Sequence, residues 1–386
     1  MDRETNGILH ITTVHRRDDA RIRGKELRVL TQAWPRRCML MVADGAGCVD
    51  REYAGCRSID VGILPSGRFG RSVVGGWRVV QHVRRLRPVV VHFHDPELIP
   101  PCLILSLLGY RVIYDVHEDV PRQILAKAWL PRPLRRPVGW LFAGVEWVAG
   151  RVFTGVVAAT PLIARRFPAG KIAVVQNFPI LSELAPAEAI PYARRPPDFV
   201  YVGAIEAIRG AREMVRALVH LPESGGARLQ LAGAIRPDAL EAEMRADAAW
   251  SRVVFHGWAG RAKIADLLGG ARAGLVVLHP EGGYPDAYPV KMFEYMACGL
   301  PVIASDFPLW RRIIDEARCG LLVDPLDPKA IASAMQWILD HPEEAERMGE
   351  RGRAAVEERY NWGHEGEKLL DFYRRLLSMD GTCREL

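Results

Sequence analysis

The sequence has 386 residues, 49% of them hydrophobic and 25% charged, with a mean hydropathy of −0.02. This balance excludes a disordered chain, and seven scattered cysteines without a CxxC pair exclude a disulfide scaffold and a zinc ribbon. The net charge of +6 divides into +10 over residues 1–190 and −4 over residues 191–386. This asymmetry indicates two domains with different partners, and the basic half suits nucleic acid, anionic lipid or a phosphorylated substrate.

Short apolar runs alternate with helical patterns in the N-terminal half. Strands are predicted at 7–14, 38–44, 89–95, 111–118 and 151–160, and helices at 21–33, 73–86 and 134–148. This alternation predicts a parallel sheet that helices cover on both faces. A proline-rich segment at 180–198 then interrupts the pattern and is typical of a linker.

The alternation restarts after this segment. Strands are predicted at 198–205, 228–235, 252–258, 274–280, 300–306 and 320–325, and helices from about Asp327 onward. We therefore predict an α/β protein of two Rossmann-like domains whose parallel sheets face an interdomain cleft. The predicted domains are 1–185, 186–355, and a C-terminal helix at 356–386 that crosses back to the first domain. Ligands of such sheets bind beyond the carboxyl ends of the strands, so the residues after each strand are the functional candidates.

The densest group of candidates lies in AYPVKMFEYMACGLPVIASD, residues 287–306. Met292 and Met296 have helical spacing, and Lys291 and Glu294 share one face near the helix start. Free N–H groups at a helix N-terminus suit a diphosphate, to which Lys291 adds a positive charge, while Glu294 suits ribose hydroxyls. The alternative interpretation is an exposed ion pair between these two residues.

This segment resembles the donor-site motif of family 4 glycosyltransferases of the GT-B fold, in which seven residues separate two acidic residues. Glu294 matches the second acid, and Asp286 stands where the family has its first glutamate, the residue that contacts the donor sugar. The resemblance implies a GT-B architecture. It also implies that Ala287, Tyr288 and Lys291 line the donor site.

Two further segments of the C-terminal half resemble the same family. One, residues 200–218, resembles the family segment that carries two basic contacts to the donor diphosphate. Arg209 matches the second of these basic residues, Ala204 stands at the first, and we hypothesise that Lys291 compensates for the missing charge. The other segment is the family's turn near the nucleobase, which Gly257 and Trp258 match. Packing against the core is the alternative role for the tryptophan.

Two predicted strands of the N-terminal half end in histidine and acidic residues, in VVVHFHDPEL (89–98) and VIYDVHEDVP (112–121). The family places a histidine at the end of such a strand, facing the reacting centre, and His117 fits this position. We expect His117, Asp286 and Glu294 to be the catalytic residues. The residues expected to contact the acceptor are Asp19, Arg21, His94, Asp95, Glu97 and Glu118. A hydrogen-bonded structural histidine is the alternative at each strand end.

The loop after the first strand, 12–27, matches a pattern within the family in which Asp19, Arg21, Lys25 and Glu26 recur. Part of this set is expected on a solvated helix face. The histidines and acids of this half are also metal ligands by type. The resemblance nevertheless implies an enzyme that needs no metal or other cofactor, with a nucleoside-diphosphate sugar as co-substrate.

Residues 125–147 combine basic and aromatic side chains. The basic residues are Lys127, Arg132, Arg135 and Arg136, and the aromatic ones are Trp129, Trp140, Phe142 and Trp147. Such a segment suits an anionic membrane surface. Alternatively, Leu141, Val145 and Val148 pack the helix against its sheet.

The N-terminus carries acidic residues before any apolar run, unlike a secretory signal, and the longest apolar stretch, 138–160, contains Glu146 and Arg151. We therefore expect a cytoplasmic protein, with the inner face of the plasma membrane as the place of any peripheral contact.

The resemblance, over 198–310 and 7–180, implies a retaining glycosyltransferase. It would move a sugar from a nucleoside-diphosphate sugar to a hydroxyl of a glycan or lipid-linked saccharide, in bacterial cell-envelope or exopolysaccharide synthesis. The alternatives are a sugar-nucleotide epimerase or phosphorylase of the same fold, and a nucleic-acid-binding regulatory protein. The last is disfavoured because the basic residues are spread over many segments without a nucleic-acid-binding motif, so no nucleic-acid partner is expected. The oligomeric state stays open.

Overall fold

The computed structural model describes residues 7–52, 55–65, 67, 70–127, 130–184, 190–281 and 283–378. These residues form two compact units, one that ends at Asn177 and resumes at Gly363, and one from Phe178 to Trp362. The boundary between them precedes the one expected at 185/186, because Phe178 and Leu184 are buried in the core of the second unit.

The first unit is built on a mainly parallel sheet. Its strands are β1 (Ile8–Ile11), β2 (Cys38–Val42), β3 (Val49–Glu52), β4 (Cys56–Asp60), β5 (Val90–Phe93), β6 (Arg111–Val116), β7 (Gly155–Ala158) and β8 (Ile172–Val174). They lie in the order β3-β4-β2-β1-β5-β6-β7-β8, and only β3 runs antiparallel to its neighbour. The sequence patterns had not predicted β3, β4 or β8. The strand predicted at 151–160 starts later than expected because Arg151 and Val152 still belong to a helix.

Helices connect these strands. They are α1 (Arg28–Ala33), α2 (Gly76–Leu86), α3 (Ile99–Leu107), α4 (Val120–Ala126), α5 (Arg132–Val152) and α6 (Pro161–Ala164). A π-helical turn, Ile22–Leu27, leads into α1, and a second, Arg71–Gly75, leads into α2. Within the described ranges, no helix is long and apolar enough to cross a membrane.

The second unit is built on an entirely parallel sheet. Its strands are β9 (Asp198–Val202), β10 (Arg228–Ala232), β11 (Val253–Phe255), β12 (Ala273–Val276), β13 (Val302–Ser305) and β14 (Gly320–Val323). They lie in the order β11-β10-β9-β12-β13-β14. The helices of this unit are α7 (Ala211–Ala217), α8 (Asp238–Ala246), α9 (Arg261–Gly270), α10 (Val290–Ala297), α11 (Pro308–Ala317), α12 (Pro328–Asp340) and α13 (Pro342–Glu358). The prediction of two Rossmann-like α/β domains is confirmed.

The C-terminal helix α14 (Trp362–Ser378) belongs to the first unit from Gly363 onward. The side chains of its Leu369, Tyr373 and Leu377 are fully buried. Its Phe372 ring lies so close to Gly155 of β7 that a Cβ there would come within 2.4 Å of the ring. The helix is therefore part of the first unit's core.

Among the parallel strands of each sheet, the order reverses at one point. In the first unit it lies at β1, which pairs with both β2 and β5. In the second unit it lies at β9, which pairs with both β10 and β12. The carboxyl ends of the strands at such a point form a crevice that binds ligands in open α/β sheets.

Candidate functional site

Lys291 is the most informative residue of the second unit. It lies in the first turn of α10, is buried, and its Nζ has no hydrogen-bond partner among the described residues. Its ammonium group lies 3.7 Å from the centre of the Tyr201 ring. Burial, together with repulsion from Arg209, lowers the pKa of Lys291 well below its ordinary value. A buried ammonium group is costly unless an anion compensates its charge.

Arg209 brings a second cation to the same place. It ends a short helical turn, Ala207–Arg209, after β9, and its Nε lies 3.2 Å from Glu206 Oε2. The next residue, Gly210, has φ +74°, and a Cβ there would lie 2.1 Å from the carbonyl oxygen of Val277. Only glycine allows this loop to approach the end of β12 so closely. The arrangement of Arg209, Lys291 and the N-terminus of α10 is suited to a diphosphate.

Glu294 lies one turn further along α10. Its Oε1 accepts a hydrogen bond of 2.9 Å from Nη1 of Arg261, at the start of α9. The alternative of an exposed ion pair between Lys291 and Glu294 is therefore wrong, because the lysine is buried and the glutamate pairs elsewhere. Glu294 retains a second carboxylate oxygen for a ligand.

Gly257 and Trp258 form a turn after β11. Gly257 has φ +61°, and its carbonyl oxygen accepts a 2.7 Å hydrogen bond from the backbone N–H of Gly233. Trp258 is 85% exposed. Packing against the core is therefore not its role, and its ring is available to a planar ligand.

The segment before α10 contains the remaining candidates for donor contact. Asp286 is exposed at the end of a short turn. The backbone of Ala287 is engaged internally, since its N–H donates to Tyr284 and its carbonyl accepts from Trp310 Nε1 at 2.8 Å. The Tyr288 ring stacks on Phe293, with 6.3 Å between ring centres. Ala287 and Tyr288 thus determine the conformation of this segment. Both backbone hydrogen-bonding groups of Ala287 are engaged within the protein, so neither is left for the donor substrate.

In the first unit, a residue that the sequence analysis did not single out lies at the centre. Asp115, on β6, is fully buried, and its Oδ2 lies 3.0 Å from His117 Nε2 and 3.2 Å from His94 Nδ1. Its Oδ1 accepts from Arg21 Nη2 at 3.0 Å. Burial works to raise the pKa of Asp115, but Arg21 and the two histidines outweigh it and hold this pKa well below its ordinary value. Asp115 is therefore ionised, and His117 is its partly exposed partner.

The expectation of a solvated helix face at the start of the chain is wrong for Arg21, Lys25 and Glu26, which are all buried. Besides Asp115, Arg21 contacts Glu26 Oε1 at 2.9 Å and donates to the carbonyl of Val175 at 3.1 Å. Arg21 thus neutralises Asp115 inside the protein, and its expected contact with an acceptor is not supported.

Asp19 caps the π-helical turn that carries these residues. Its Oδ1 accepts from the backbone N–H groups of Arg21 and Ile22, each at 2.9 Å, and its Oδ2 lies 3.3 Å from His15 Nδ1. Burial works to raise the pKa of Asp19, but the hydrogen bonds from His15 and from these N–H groups hold it below its ordinary value. The carboxylate therefore has a structural task in positioning Arg21.

The other residues expected to contact an acceptor differ in how deeply they are buried. Asp95 is buried and accepts from the hydroxyls of Thr12 and Thr13, so it holds the loop that follows β1. His94 is buried beside Asp115, whereas Glu97 is partly exposed and pairs with Arg71 at 2.9 Å. Glu118 is exposed and accepts from Gln123 at 2.7 Å. Glu97, Glu118 and His117 are therefore exposed enough to contact a ligand directly. His94 and Asp95 are buried and hold neighbouring residues in place.

Four ligand-type side chains of this cluster, Glu26, His92, His94 and Asp115, lie with one donor atom each within 4.8 Å of one another. Arg21 contacts both carboxylates, so its charge already balances that of the ionised Asp115. Burial, followed by repulsion from Asp115, raises the pKa of Glu26 well above its ordinary value, which favours its neutral form. A cation placed here would face the guanidinium group, so the geometry favours a hydrogen-bonded network over a metal centre.

The comparisons with known structures identify the class of fold. The sucrose-phosphate synthase of Thermosynechococcus elongatus superimposes with a TM-score of 0.75 at 20% identity, covering 97% of this chain and 100% of that chain. HepE of Anabaena, solved in complex with UDP, gives 0.70 at 15% identity, covering 96% and 100%. At these identities the likeness shows the fold alone, and that fold is GT-B.

The family follows from the sequence matches. The model "Glycosyl transferase 4-like domain" matches residues 20–177, and the model "Glycosyl transferases group 1" matches residues 196–341. The chain therefore belongs to the group 1 glycosyltransferases. A relative, the D-inositol 3-phosphate glycosyltransferase of Xylanimonas cellulosilytica, is 31% identical over 182 residues, which cover 46% of this chain and 42% of that protein. The match thus spans less than half of that relative's length.

Proposed function

We propose that the protein transfers a sugar from a nucleoside-diphosphate sugar to a hydroxyl group of a glycan or lipid-linked saccharide, with retention of the anomeric configuration. The observation that carries the proposal is the buried ammonium group of Lys291, which has no hydrogen-bond partner among the described residues and is repelled by Arg209. A diphosphate between these two cations removes the repulsion and supplies the missing partner. HepE, solved with UDP, shows that the fold accommodates such a ligand.

Each element of the proposed site has one task in the reaction. Lys291, Arg209 and the N-terminus of α10 stabilise the negative charge that grows on the leaving diphosphate. Glu294 binds the ribose hydroxyls, and the exposed ring of Trp258 stacks on the base. The leaving phosphate takes the proton of the attacking hydroxyl, while His117 orients the sugar or the acceptor by a hydrogen bond.

No metal or other cofactor enters this proposal. The two cationic side chains of the second unit supply the charge that a divalent ion provides in other phosphoryl sites. In the first unit, the contacts of Arg21 with both carboxylates support the same conclusion.

The exposed apolar residues of helix α5 support the proposal that the acceptor is lipid-linked. Trp140 and Leu141 are 76% and 71% exposed, so packing against the sheet accounts for Val145 but not for these residues. An apolar stripe of Leu134, Val138, Leu141, Val148 and Val152 is also exposed along the helix. The basic residues expected at this surface are Lys127, Arg132, Arg135 and Arg136, and Arg151 lies on the same helix; Trp129 lies outside the described residues. We therefore include an anionic membrane surface among the partners, since each Arg near such a surface contributes about 1 kcal/mol.

A thermal-shift panel with UDP, GDP, ADP and dTDP tests the donor site. A ligand at about 100 times its Kd adds about 2.7 kcal/mol of stability, which raises the unfolding midpoint visibly. We expect one nucleotide to stabilise the wild type, and Glu294→Ala to lose this shift. The matched control, Glu346→Ala, replaces an exposed glutamate of α13 and retains it. Absence of any shift with all four nucleotides contradicts the proposal.

The reaction itself distinguishes transfer from related chemistry. Incubation with the selected nucleoside-diphosphate sugar and a lipid extract is expected to yield a glycosylated lipid and free nucleoside diphosphate, with the configuration at the anomeric carbon retained. Release of free sugar without an acceptor indicates an epimerase, and a requirement for orthophosphate indicates a phosphorylase. Either result rejects the transfer step.

Vesicle sedimentation tests the membrane contact. We expect the protein to sediment with anionic vesicles and not with zwitterionic ones, and Trp140→Ala with Leu141→Ala to weaken this binding. Trp77→Ala removes a tryptophan that is similarly exposed but lies on α2, and leaves binding unchanged. Equal binding of all three proteins contradicts the assignment of α5.

A further inference from the structure

A chain of hydrogen-bonding groups runs from the C-terminal helix to the partly exposed His117. The hydroxyl of Tyr373, on α14, lies 3.2 Å from His10 Nε2. The other ring nitrogen of His10, Nδ1, lies 3.0 Å from His94 Nε2. His94 Nδ1 and His117 Nε2 both lie against Asp115 Oδ2, at 3.2 and 3.0 Å. The contacts are continuous from Tyr373 to His117.

The ionised Asp115 sets the direction of this chain, because a carboxylate only accepts hydrogen bonds. His94 Nδ1 and His117 Nε2 also lie 3.2 Å from each other. Because the lone pair of an unprotonated nitrogen at either position would face the carboxylate, we assign a proton to both nitrogens, and both donate to Asp115. In a neutral His94, Nε2 is then an acceptor and receives a proton from Nδ1 of His10. By the same reasoning, His10 Nε2 accepts from the hydroxyl of Tyr373.

The remaining histidine of the cluster fits the same assignment. The Tyr373 oxygen accepts from His92 Nδ1 at 2.7 Å, which leaves His92 Nε2 unprotonated. That nitrogen has no hydrogen-bond partner among the residues described here. Burial lowers the pKa of His10, His92 and His94, which favours the neutral form of all three rings. One set of tautomers thus accounts for each hydrogen bond from Tyr373 to Asp115, and His92 Nε2, 3.9 Å from Asp115 Oδ2, is left without a donor.

Tyr373 is the only member of this chain that both donates to one histidine and accepts from another. Without its hydroxyl, Nε2 of His10 loses its donor, and the ring can move its proton from Nδ1 to Nε2. His94 must then reverse as well, and this turns an unprotonated Nδ1 toward the carboxylate of Asp115. The repulsion displaces the carboxylate that orients His117.

We propose that Tyr373 is a positioning residue of the transferase site, which holds His10 and His94 in the tautomers that keep Asp115 and His117 in place. His117 then presents Nδ1, for which the described residues offer no hydrogen-bond partner, as an acceptor for a hydroxyl of the sugar or the acceptor substrate. The catalytic part of this proposal rests on the function proposed above. It assigns the C-terminal helix a role in catalysis as well as in folding.

The variant Tyr373→Phe tests the proposal, with Tyr114→Phe as its matched control. Tyr114 is equally buried in the same unit, and its hydroxyl contacts Glu146 at 3.2 Å, outside the histidine chain. Nitrogen-15 NMR of histidine-labelled protein reports which ring nitrogen carries the proton. In the wild type and in Tyr114→Phe we expect Nδ1–H alone at His10 and His94. In Tyr373→Phe only Asp115 still fixes the direction of the chain, so we expect a second population with Nε2–H at both rings.

The same variants are compared in transfer kinetics. A positioned acid–base or hydrogen-bonding histidine contributes about 10²–10⁴-fold, and partial loss of its orientation is expected to lower kcat about tenfold in Tyr373→Phe, with KM for the donor unchanged. Unchanged tautomers in Tyr373→Phe overturn the proposal, and so does an equal fall of kcat in the control. The NMR result does not depend on activity, so a wild type without transfer activity rejects the proposed function separately.

A second pair of variants tests the chain where Tyr373→Phe does not fold. His10→Gln keeps an amide that accepts from Tyr373 and donates to His94, whereas His10→Leu can do neither. We expect kcat to be largely retained in His10→Gln and lost about tenfold in His10→Leu, as for a displaced His117. Equal losses in the two variants contradict the proposal.

Discussion

The stability of the first unit is expected to fall steeply with acid, because its cluster buries neutral histidines. The pKa values of His10, His92 and His94 lie below the ordinary value of 6.5, for which burial is the first cause. Below pH 6.5 these three side chains therefore bind protons in the unfolded chain and not in the folded one. Linkage requires that protons bound only by the unfolded state destabilise the fold.

Glu26 acts in the opposite direction. Its raised pKa means that above its ordinary value of 4.5 the folded state holds a proton that the unfolded state has lost. As the pH falls from 6.5 towards 5, the unfolded chain gains protons on three histidines that the folded chain does not take up, while the folded chain retains one extra proton on Glu26. The unfolded state therefore binds the larger number of protons, and the unfolding free energy falls as the pH falls, by at most about 1.36 kcal/mol per pH unit for each net proton.

Hydrogen exchange measured by mass spectrometry isolates this unit, because peptides that contain β1 and β5 report its unfolding alone. After correction for the intrinsic exchange rate, the opening constant is expected to rise as the pH falls, about tenfold per pH unit for each net proton that unfolding takes up. His92→Gln removes one titrating ring and is expected to make this rise less steep. A stability that is constant or rises between pH 6.5 and 5.5 refutes the reasoning.

Three substitutions test other parts of the account. Gly210→Ala places a Cβ 2.1 Å from the carbonyl of Val277 at φ +74°, and a fall of the unfolding free energy by about 1–3 kcal/mol is expected in denaturant titrations. Trp258→Ala is expected to leave stability unchanged, since the ring is 85% exposed, and to weaken nucleotide binding by about 1–3 kcal/mol in calorimetry. Asp115→Asn removes the charge that faces the buried Arg21, and a loss of about 3–5 kcal/mol of stability is expected in urea unfolding. A stable Gly210→Ala, unchanged nucleotide affinity in Trp258→Ala, or a fully stable Asp115→Asn contradicts the respective assignment.

The sequence was sufficient to predict both sheets, because buried parallel strands appear as short apolar runs between helical patterns. It did not reveal β3, β4 or β8. The strands β3 (VDRE) and β8 (IAV) are the two edges of the sheet, and β4 (CRSID), which lies next to β3, contains several polar residues. Edge strands are only partly covered, so their composition resembles that of loops.

The candidate donor residues could be proposed from the sequence because Lys291 and Glu294 lie within one short motif. Asp115 was not, although a single acid inside an otherwise apolar strand indicates a buried charge that needs a partner. That partner, Arg21, is 94 residues away, and only the pairing of the strands brings the two together. The contribution of Tyr373 was beyond sequence reasoning for the same reason, since it lies 363 residues from His10.

The central claim is that Lys291 binds a diphosphate, and calorimetric titration tests it most directly. The nucleoside diphosphate selected by the thermal-shift panel is titrated into the wild type, Lys291→Met and Lys329→Met, the last of which removes an exposed lysine of α12 in the same unit. Loss of one preorganised charged contact costs about 2.7–4 kcal/mol, so Lys291→Met is expected to bind about a hundredfold to a thousandfold more weakly, and Lys329→Met to bind like the wild type. Equal affinity in all three proteins contradicts the account.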